Sequence, residues 1–216
     1  MNTFKLELLE DAQLFKSSLV GTIEAFARVV EARDPYTAGH QARVAELAVA
    51  IARQMHLDPF QIEGIRMGAV IHDIGKIHLP AEILSKPTSL TDMEFELIKT
   101  HPGVGYEILK DVLFPWPVAA IVWQHHERID GSGYPNGLKE HAICLEAKIV
   151  AVADVVEAIN SFRPYRAAMG IDLALDEIRF HRGTAFDPEV VDACLETFGA
   201  GKFSFSNRQD DSFQKL

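Results

Sequence analysis

The stretch Ala-Val-Ile-His-Asp-Ile-Gly-Lys occupies residues 69–76 and carries the strongest indication of both fold and chemistry. Its apolar beginning predicts a buried helix, and Gly75 predicts where that helix ends. His72 and Asp73 supply an imidazole and a carboxylate, which are compatible ligands for one metal ion. Adjacent helical residues diverge by about 100°, so these side chains do not naturally reach each other, and a metal between them would satisfy both. The dipeptide alone also fits a capping aspartate beside a core histidine.

The composition is that of an ordinary soluble protein with room for about one domain. The chain has 216 residues, of which 48% are hydrophobic and 24% charged, and its formal net charge is −10. This charge argues against binding a nucleic acid polymer, but bound metal ions would still permit a small anionic ligand. We expect no membrane insertion, because no apolar run spans a bilayer and no secretion signal is evident. Cys144 and Cys194 lack metal-site spacing, and a reducing, cytoplasmic location fits them best.

Nearly every segment has the apolar spacing that is typical of helices, and no alternating strand pattern occurs. We therefore predict an all-α bundle with a long N-terminal helix. Residues 1–19 are predicted to form a helical extension or linker, residues 20–198 the domain, and polar residues 199–216 a disordered tail. The strongly apolar segment Leu145–Asn160 predicts a central, buried helix. Further helices are predicted at 37–56, from 59 to near 73, and at 103–110, 117–127, 172–181 and 188–198, with caps at Asp58, Thr91 with Glu94, and Asp187.

Four more histidines and one more aspartate stand in helical contexts of the same kind. Two of the histidines lie at helix starts or junctions, and two form a tandem pair late in an apolar helix. The aspartate interrupts the apolar segment Leu145–Asn160, where an unpaired carboxylate would be costly. These residues are His40, His101, His125, His126 and Asp154.

Each of these residues also has a simpler explanation. His101 fits a helix-end residue before a proline, and the His125-His126 pair fits an exposed polar patch. Asp154 fits a salt bridge with an arginine such as Arg163. Together with the first pair, however, five histidines and two aspartates in helical contexts favour a metal site over seven coincidences.

The seven side chains suffice for two metal ions. Each ion would have four protein bonds, and octahedral geometry would leave about two positions for water and substrate oxygens. Such an open arrangement is catalytic rather than structural. The nitrogen and oxygen ligands favour iron or manganese, allow zinc and disfavour magnesium. One ion would take His40, His72, Asp73 and Asp154, and the other His101, His125, His126 and the second oxygen of Asp73.

These residues fall in ordered motifs that resemble those of the HD-GYP domain, a branch of the HD phosphohydrolases, over about residues 20–198. Members of this family are all-helical, and active members hydrolyse cyclic di-GMP to linear pGpG, some continuing to GMP. The resemblance implies an HD-domain bundle with a binuclear metal site in its core, held by the seven residues above. Some members hold a third metal through a carboxylate where this chain has Tyr36, so two ions are expected. The matching motifs lie at 31–40, 72–76, 101–105, 125–135, 151–154, 163–166 and 183–188.

The substrate of such an enzyme is a dianion, and the chain supplies cations for it. Lys76 is expected to contact a phosphate and to act with Asp73 in catalysis by stabilising the charge that develops on it. Arg163 and Arg166 offer guanidinium forks for phosphate oxygens or guanine edges. Tyr134 of the Gly-Tyr-Pro motif is a further candidate for substrate binding. Surface salt bridges for the arginines and loop anchoring for the tyrosine are the simpler roles.

Four residues bear on the surroundings of the predicted metals. Glu127 and Asp130 are candidate hydrogen-bond partners of metal-bound imidazoles. His78 stands where the family has a small residue, and we expect it in solvent or at the pocket rim. Glu157 replaces a common aspartate one turn after the last predicted ligand, where its extra methylene is expected to alter packing or geometry near the site.

The leading hypothesis is a metal-dependent cyclic di-GMP phosphodiesterase in bacterial second-messenger signalling. One alternative is a non-catalytic HD-GYP module that binds a cyclic dinucleotide or a partner protein, although all seven ligands are present. Another is an HD hydrolase of a different nucleotide phosphate ester, against which the motifs at 133–135 and 163–166 argue. The long first helix offers a seam for a homodimer and a connector to an upstream sensor or receiver domain in a longer chain.

Overall fold

The structure is a computed structural model that describes residues 3–33, 39–161, 170–199 and 203–205, without the side chains of residues 3–13, 15 and 16. Within these residues the chain forms ten α-helices and two short 3-10 helices, and no strand, as the predicted all-α class requires. The α-helices are α1 (Thr3–Glu31), α2 (His40–Gln54), α3 (Pro59–Ile71), α4 (Ala81–Leu84), α5 (Asp92–Ile98), α6 (His101–Leu109), α7 (Val118–Gln124), α8 (Leu145–Asn160), α9 (Ile171–Phe180) and α10 (Pro188–Gly199).

The predicted capping residues begin their helices as expected. Asp58 accepts hydrogen bonds from two backbone N–H groups in the first turn of α3. Thr91 and Glu94 form a reciprocal capping box at the start of α5. Asp187 accepts from two backbone N–H groups in the first turn of α10. These caps satisfy donors that have no partner inside the helix, so each helix starts where the sequence indicates.

The central helix of the bundle is α8, as the apolar segment predicts. It packs against α2, α3, α7, α9 and α10. Its side chains Ile149, Val150, Val152 and Val156 are completely buried, and burial of such a side chain is worth about 1.5–3 kcal/mol. The same helix carries Asp154 into the core, so the apolar packing that forms the bundle also fixes the position of a buried carboxylate.

The helix before the His72-Asp73 pair ends earlier than predicted, and Gly75 has a different role from the one expected. α3 ends at Ile71, and Gly75 lies within a 3-10 helix, Ile74–His78. A side chain on Gly75 would place its Cβ 1.9 Å from the carbonyl oxygen of His101. The glycine therefore permits the backbones of the 3-10 helix and α6 to touch, which brings two of the motifs together.

The N-terminal helix is continuous across the predicted boundary between extension and domain. Ile23, Ala27 and Val30 of α1 are buried against the core, whereas Phe26 and Val29 are exposed. This division matches a helix that lies on the bundle with one face. The boundary at residues 19 and 20 stays a prediction.

Part of the predicted disordered tail contacts the domain. Phe203 and Phe205 pack against Phe198 of α10, with ring centroids 5.3 and 6.1 Å apart. Residues 200–202 and 206–216 lie outside the described residues. The disorder of residues 199–216 stays a prediction.

No described helix has both the length and the apolar character needed to cross a membrane. Cys144 and Cys194 are free thiols. The reducing compartment that they suggest stays a prediction.

Candidate metal centre

The structure brings all seven predicted metal ligands together at one place in the core. Six of them lie at or next to helix ends, where the chain turns inward, and Asp154 lies in the middle of α8. All are buried except for a partly exposed residue in the tandem pair. The positions are His40 at the start of α2, His72 and Asp73 after α3, His101 at the start of α6, His125 and His126 after α7, and Asp154.

One group of possible ligand atoms surrounds the end of α7. Asp73, His101, His125 and His126 each offer an atom, and these atoms lie within 4.8 Å of one another. The Nε2 atom of His101 is 3.3 Å from Asp73 Oδ1 and 3.3 Å from His125 Nε2. The ring centroids of His125 and His126 are 4.1 Å apart. This group corresponds to the second ligand set expected from the sequence.

A second group shares the same aspartate. Atoms of His40, His72 and Asp73 lie within 4.8 Å of one another. Asp73 Oδ2 is 3.4 Å from His72 Nε2 and 4.0 Å from His40 Nε2. Asp154 Oδ1 lies 3.2 Å from His40 Nε2 and 3.9 Å from His72 Nε2. Asp73 thus directs one oxygen toward each group, which is the arrangement that a bridging carboxylate needs.

Three of the histidine rings are oriented by backbone carbonyl groups of the preceding helical turn. In each case the Nδ1 atom lies 2.7 Å from the carbonyl oxygen three residues earlier in the chain. The carbonyl can only accept, so Nδ1 carries the proton and Nε2 presents a lone pair toward the centre of the cluster. The three pairs are His72 with Ala69, His101 with Ile98, and His125 with Val122.

His40 is oriented by a carboxylate instead. Its Nδ1 atom is hydrogen-bonded to Glu157, which also accepts from Arg43 Nε at 2.6 Å and from Ser161 Oγ at 2.5 Å. Burial by itself lowers the pKa of His40. The carboxylates of Glu157 and Asp154 together raise it by a larger amount, so the pKa is raised to about 9. Glu157, noted in the sequence only as a departure from the family, is therefore the hydrogen-bond partner of a predicted ligand.

The two carboxylates expected to support the histidines have other partners, so that prediction is wrong. Glu127 accepts hydrogen bonds from the backbone N–H groups of Asn136 at 2.8 Å and Leu138 at 2.9 Å. Asp130 accepts from the backbone N–H of Ser132 at 2.9 Å. Both therefore hold the loop after the tandem histidines. The sequence offered a signal in the glycine-rich composition of that loop, whose backbone N–H groups need acceptors.

The Gly-Tyr-Pro loop lies directly on the tandem histidines. A side chain on Gly133 would place its Cβ 2.4 Å from the backbone nitrogen of Arg128, so only glycine permits this approach. Tyr134 stacks on His126 with ring centroids 4.7 Å apart and an angle of 27° between the planes. The tyrosine thus borders the metal centre, and its contact with a substrate stays a prediction.

The side chains at the centre are mainly neutral imidazoles and an ionised carboxylate, so they present more lone pairs than protons to one another. Burial lowers the pKa of His101 to about 4 and that of His125 and His126 well below the usual value, so these rings are neutral. Burial raises the pKa of Asp73, but Lys76 and the surrounding histidines bring it well below its usual range. The Lys76 ammonium lies 2.6 Å from Asp73 Oδ2.

These donors fit a divalent metal. Nε2 of His101 and Nε2 of His125 face each other at 3.3 Å, and both are acceptors because the protons are on Nδ1. Two lone pairs at this distance, next to a carboxylate, repel each other unless a cation lies among them. Neutral imidazole and carboxylate are the ligand types of first-row divalent metals. The donor set therefore suits the ions that the sequence predicts.

The remaining predicted residues are only partly described. Lys76 lies at the centre, and Tyr134 borders it. Arg163, Arg166 and Tyr36 lie outside the described residues, so the proposed salt bridge between Arg163 and Asp154 also stays a prediction. His78 is exposed, as expected.

Comparison with known proteins agrees with this geometry. Residues 24–190 match the HD domain family. The chain belongs to the HD domain family. It is 45% identical over 176 residues to the cyclic di-GMP phosphodiesterase response regulator RpfG of Xanthomonas campestris, covering 81% of this chain and 47% of that protein. The resemblance to the HD-GYP branch is thereby confirmed.

Two solved structures have the same fold. Bd1817, an HDG"Y"P protein of Bdellovibrio bacteriovorus, superposes with a TM-score of 0.63 at 24% identity, covering 74% of this chain and 51% of that one. V-cGAP3, a cyclic GMP-AMP specific phosphodiesterase of Vibrio cholerae, gives a TM-score of 0.54 at 34% identity, covering 84% and 42%. The chain spans about half the length of the relatives it matches.

Proposed function

We propose that this chain is a metal-dependent phosphodiesterase that hydrolyses cyclic di-GMP to pGpG, with GMP as a possible further product. The observation that carries the proposal is the shared aspartate. Asp73 directs one oxygen toward each of two histidine groups, and the candidate ligand atoms of each group lie within 4.8 Å of one another. A pair of ions across one carboxylate suits the in-line displacement at a phosphodiester. RpfG, 45% identical to this chain, is named as an enzyme of this activity.

The seven clustered residues would hold two divalent ions, with Asp73 as the bridge. When bound, such ions lower the pKa of a water molecule and polarise phosphoryl oxygens. The backbone hydrogen bonds to His72, His101 and His125 orient their Nε2 atoms toward the ions before binding, so little reorganisation is needed. Iron or manganese fits the nitrogen-rich ligand set best, with zinc as the alternative.

Lys76 would provide the positive charge for the phosphate. An ammonium group has three donors, so Lys76 can keep its 2.6 Å contact with Asp73 and still donate to a non-bridging phosphate oxygen. Charge on that oxygen grows during displacement, and the buried setting strengthens the interaction. Tyr134 would contact the nucleotide at the border of the centre, and Arg163 and Arg166 would bind phosphate oxygens or guanine edges.

The function is tested by turnover with defined metals. The protein is reconstituted with Fe(II) or Mn(II) at low oxygen, and cyclic di-GMP, 3′3′-cGAMP and cyclic di-AMP are each followed by chromatography. We expect cyclic di-GMP to be converted to pGpG. Retained dinucleotide binding without turnover under any metal would instead indicate a non-catalytic module, and turnover of only another dinucleotide would reassign the substrate.

We also propose that α1 forms a homodimer seam and connects to an upstream domain. Phe26 and Val29 lie one turn apart on α1 and are 54% and 53% exposed, so a second copy would cover apolar surface. The relatives are about twice as long, and RpfG is named a response regulator. Light scattering should report a dimer for the wild type and a monomer for Phe26→Glu; an unchanged mass would contradict the seam.

A further inference from the structure

A recess lies beside the metal centre, between the Gly-Tyr-Pro loop, α8, α9 and the turn before α10. Its volume is about 300 Å³, which is enough for a purine base. His126 lines the recess and also belongs to the metal centre, so the two spaces are adjacent. Arg128, Tyr134, Glu177, His181 and Phe186 also line the recess.

Among these lining residues, Arg128 is the one lysine or arginine. Its contacts fix only one side of the guanidinium group. Its Nη1 atom donates to the backbone carbonyl of Glu127 at 2.9 Å, and its guanidinium carbon lies 4.9 Å from the ring centroid of Phe186. Within the described part of the chain, its Nε and Nη2 atoms make no hydrogen bond. A guanidinium fixed by a carbonyl and an aromatic face presents its remaining donors in a defined direction.

A hydrogen-bond acceptor also lines the recess. Glu177 of α9 is exposed, and its Oε1 atom lies 3.5 Å from His181 Nε2. The recess is therefore lined both by an arginine, which is partly buried, and by a carboxylate, which is exposed. A guanine base has the matching groups, with acceptors at O6 and N7 and donors at N1 and the 2-amino group, whereas adenine has a 6-amino donor in place of O6.

We propose that this recess binds one guanine base of the cyclic dinucleotide, with Arg128 donating to O6 and N7 and Glu177 accepting from N1 and the 2-amino group. The inference rests on the proposed function and adds base selectivity to it. A phosphate at the metal centre leaves its nucleoside next to His126, where the recess opens. An adenine in the same place would direct its amino group at the arginine donors, so it is rejected.

Binding of mononucleotides tests the recess without turnover. With Mn(II)-reconstituted protein, isothermal titration calorimetry gives the Kd of GMP and of AMP. We expect the wild type to prefer GMP and Arg128→Lys, which keeps the charge but loses the fork, to reduce that preference about tenfold or more. The matched control is Arg182→Lys, because Arg182 is exposed, pairs with Asp192 and lies outside the recess.

A second variant avoids any effect on folding. Glu177→Ala removes only an exposed carboxylate that lines the recess, and we expect it to weaken GMP severalfold and leave AMP unchanged. Asp176→Ala, at the neighbouring exposed position of α9, is its control and should change neither. Equal losses for GMP and AMP in Arg128→Lys would show a purely structural arginine and overturn the proposal, as would no GMP preference in the wild type.

The same variants separate this proposal from the proposed function. In turnover assays Arg128→Lys should lower the ratio of kcat/KM for cyclic di-GMP over cyclic di-AMP. Cyclic di-GMP hydrolysis with an unchanged ratio overturns the recess alone. An Arg128-dependent GMP preference without hydrolysis of any cyclic dinucleotide supports the recess and overturns the enzymatic proposal.

Discussion

The metal centre has two halves that differ in how some of their rings are oriented: the first half contains His101, His125 and His126, and the second contains His40, His72 and Asp154. His101 and His125 receive their orientation from backbone carbonyl groups at 2.7 Å, which no side-chain substitution removes. His40 depends on one side chain, Glu157, which in turn is held by Arg43 and Ser161. The comparison teaches that the first half has two rings fixed by the backbone, whereas the second half combines one backbone-fixed ring, His72, with one ring, His40, that a single substitution can release.

The largest effect is expected at the residue that both halves share. Asp73→Ala should release both ions and lower kcat by about a thousandfold or more, because it removes a ligand from each group. Metal analysis by mass spectrometry and the chromatographic assay measure the two effects. Asp172→Ala, at an exposed position of α9, should keep both ions; full metal content in Asp73→Ala would refute the shared bridge.

A strong effect is expected where the backbone itself fixes the first half. Gly75→Ala places a Cβ 1.9 Å from the carbonyl oxygen of His101, so we expect a loss of about 3 kcal/mol in the free energy of unfolding, by overpacking. Denaturant titration measures it. Gly103→Ala in α6 meets nothing within 4 Å and should be neutral or slightly stabilising; equal stability of the two variants would contradict the backbone contact.

An intermediate effect is expected where a side chain orients His40, one ring of the second half. Glu157→Ala should weaken the ion at His40 by about 10–100-fold and leave the ion at His101 and His125 in place, since loss of an orienting partner has this magnitude. Competition with a chelator measures the two affinities. Glu157→Gln, which keeps an acceptor for His40, should lose less. Equal weakening of both ions would show that the halves are not independent.

The smallest effect is expected at His78. This residue lies next to the centre in sequence but is exposed. His78→Ala should therefore change the free energy of unfolding by less than about 0.5 kcal/mol and leave the metal content unchanged. A lost or weakened ion would make His78 an additional ligand and would revise the composition of both halves.

The sequence was sufficient for the helical class, the central position of α8 and the residues that cluster. Asp154 and His72 stand out because a polar group within an apolar helix needs a partner, and this need can be inferred without a structure. The caps at Asp58 and Asp187 could also be predicted, because the backbone N–H groups that they bind lie within three residues along the chain.

What the sequence did not reveal depends on partners that are distant along the chain. The contact of Gly75 with His101 requires two segments to meet, and the hydrogen bond from His40 to Glu157 joins residues 117 positions apart. The position of Glu127 directly after the histidines favours it as their partner, yet it accepts hydrogen bonds from the backbone N–H groups of Asn136 and Leu138. Local spacing identifies a candidate acceptor but not which donors the folded loop presents to it.

The most direct test of the account is anomalous diffraction from crystals grown with Mn(II). We expect two peaks, one among His40, His72 and Asp73 and one among Asp73, His101, His125 and His126, with an Asp73 oxygen next to each. A single peak, or two peaks that do not share Asp73, would contradict it.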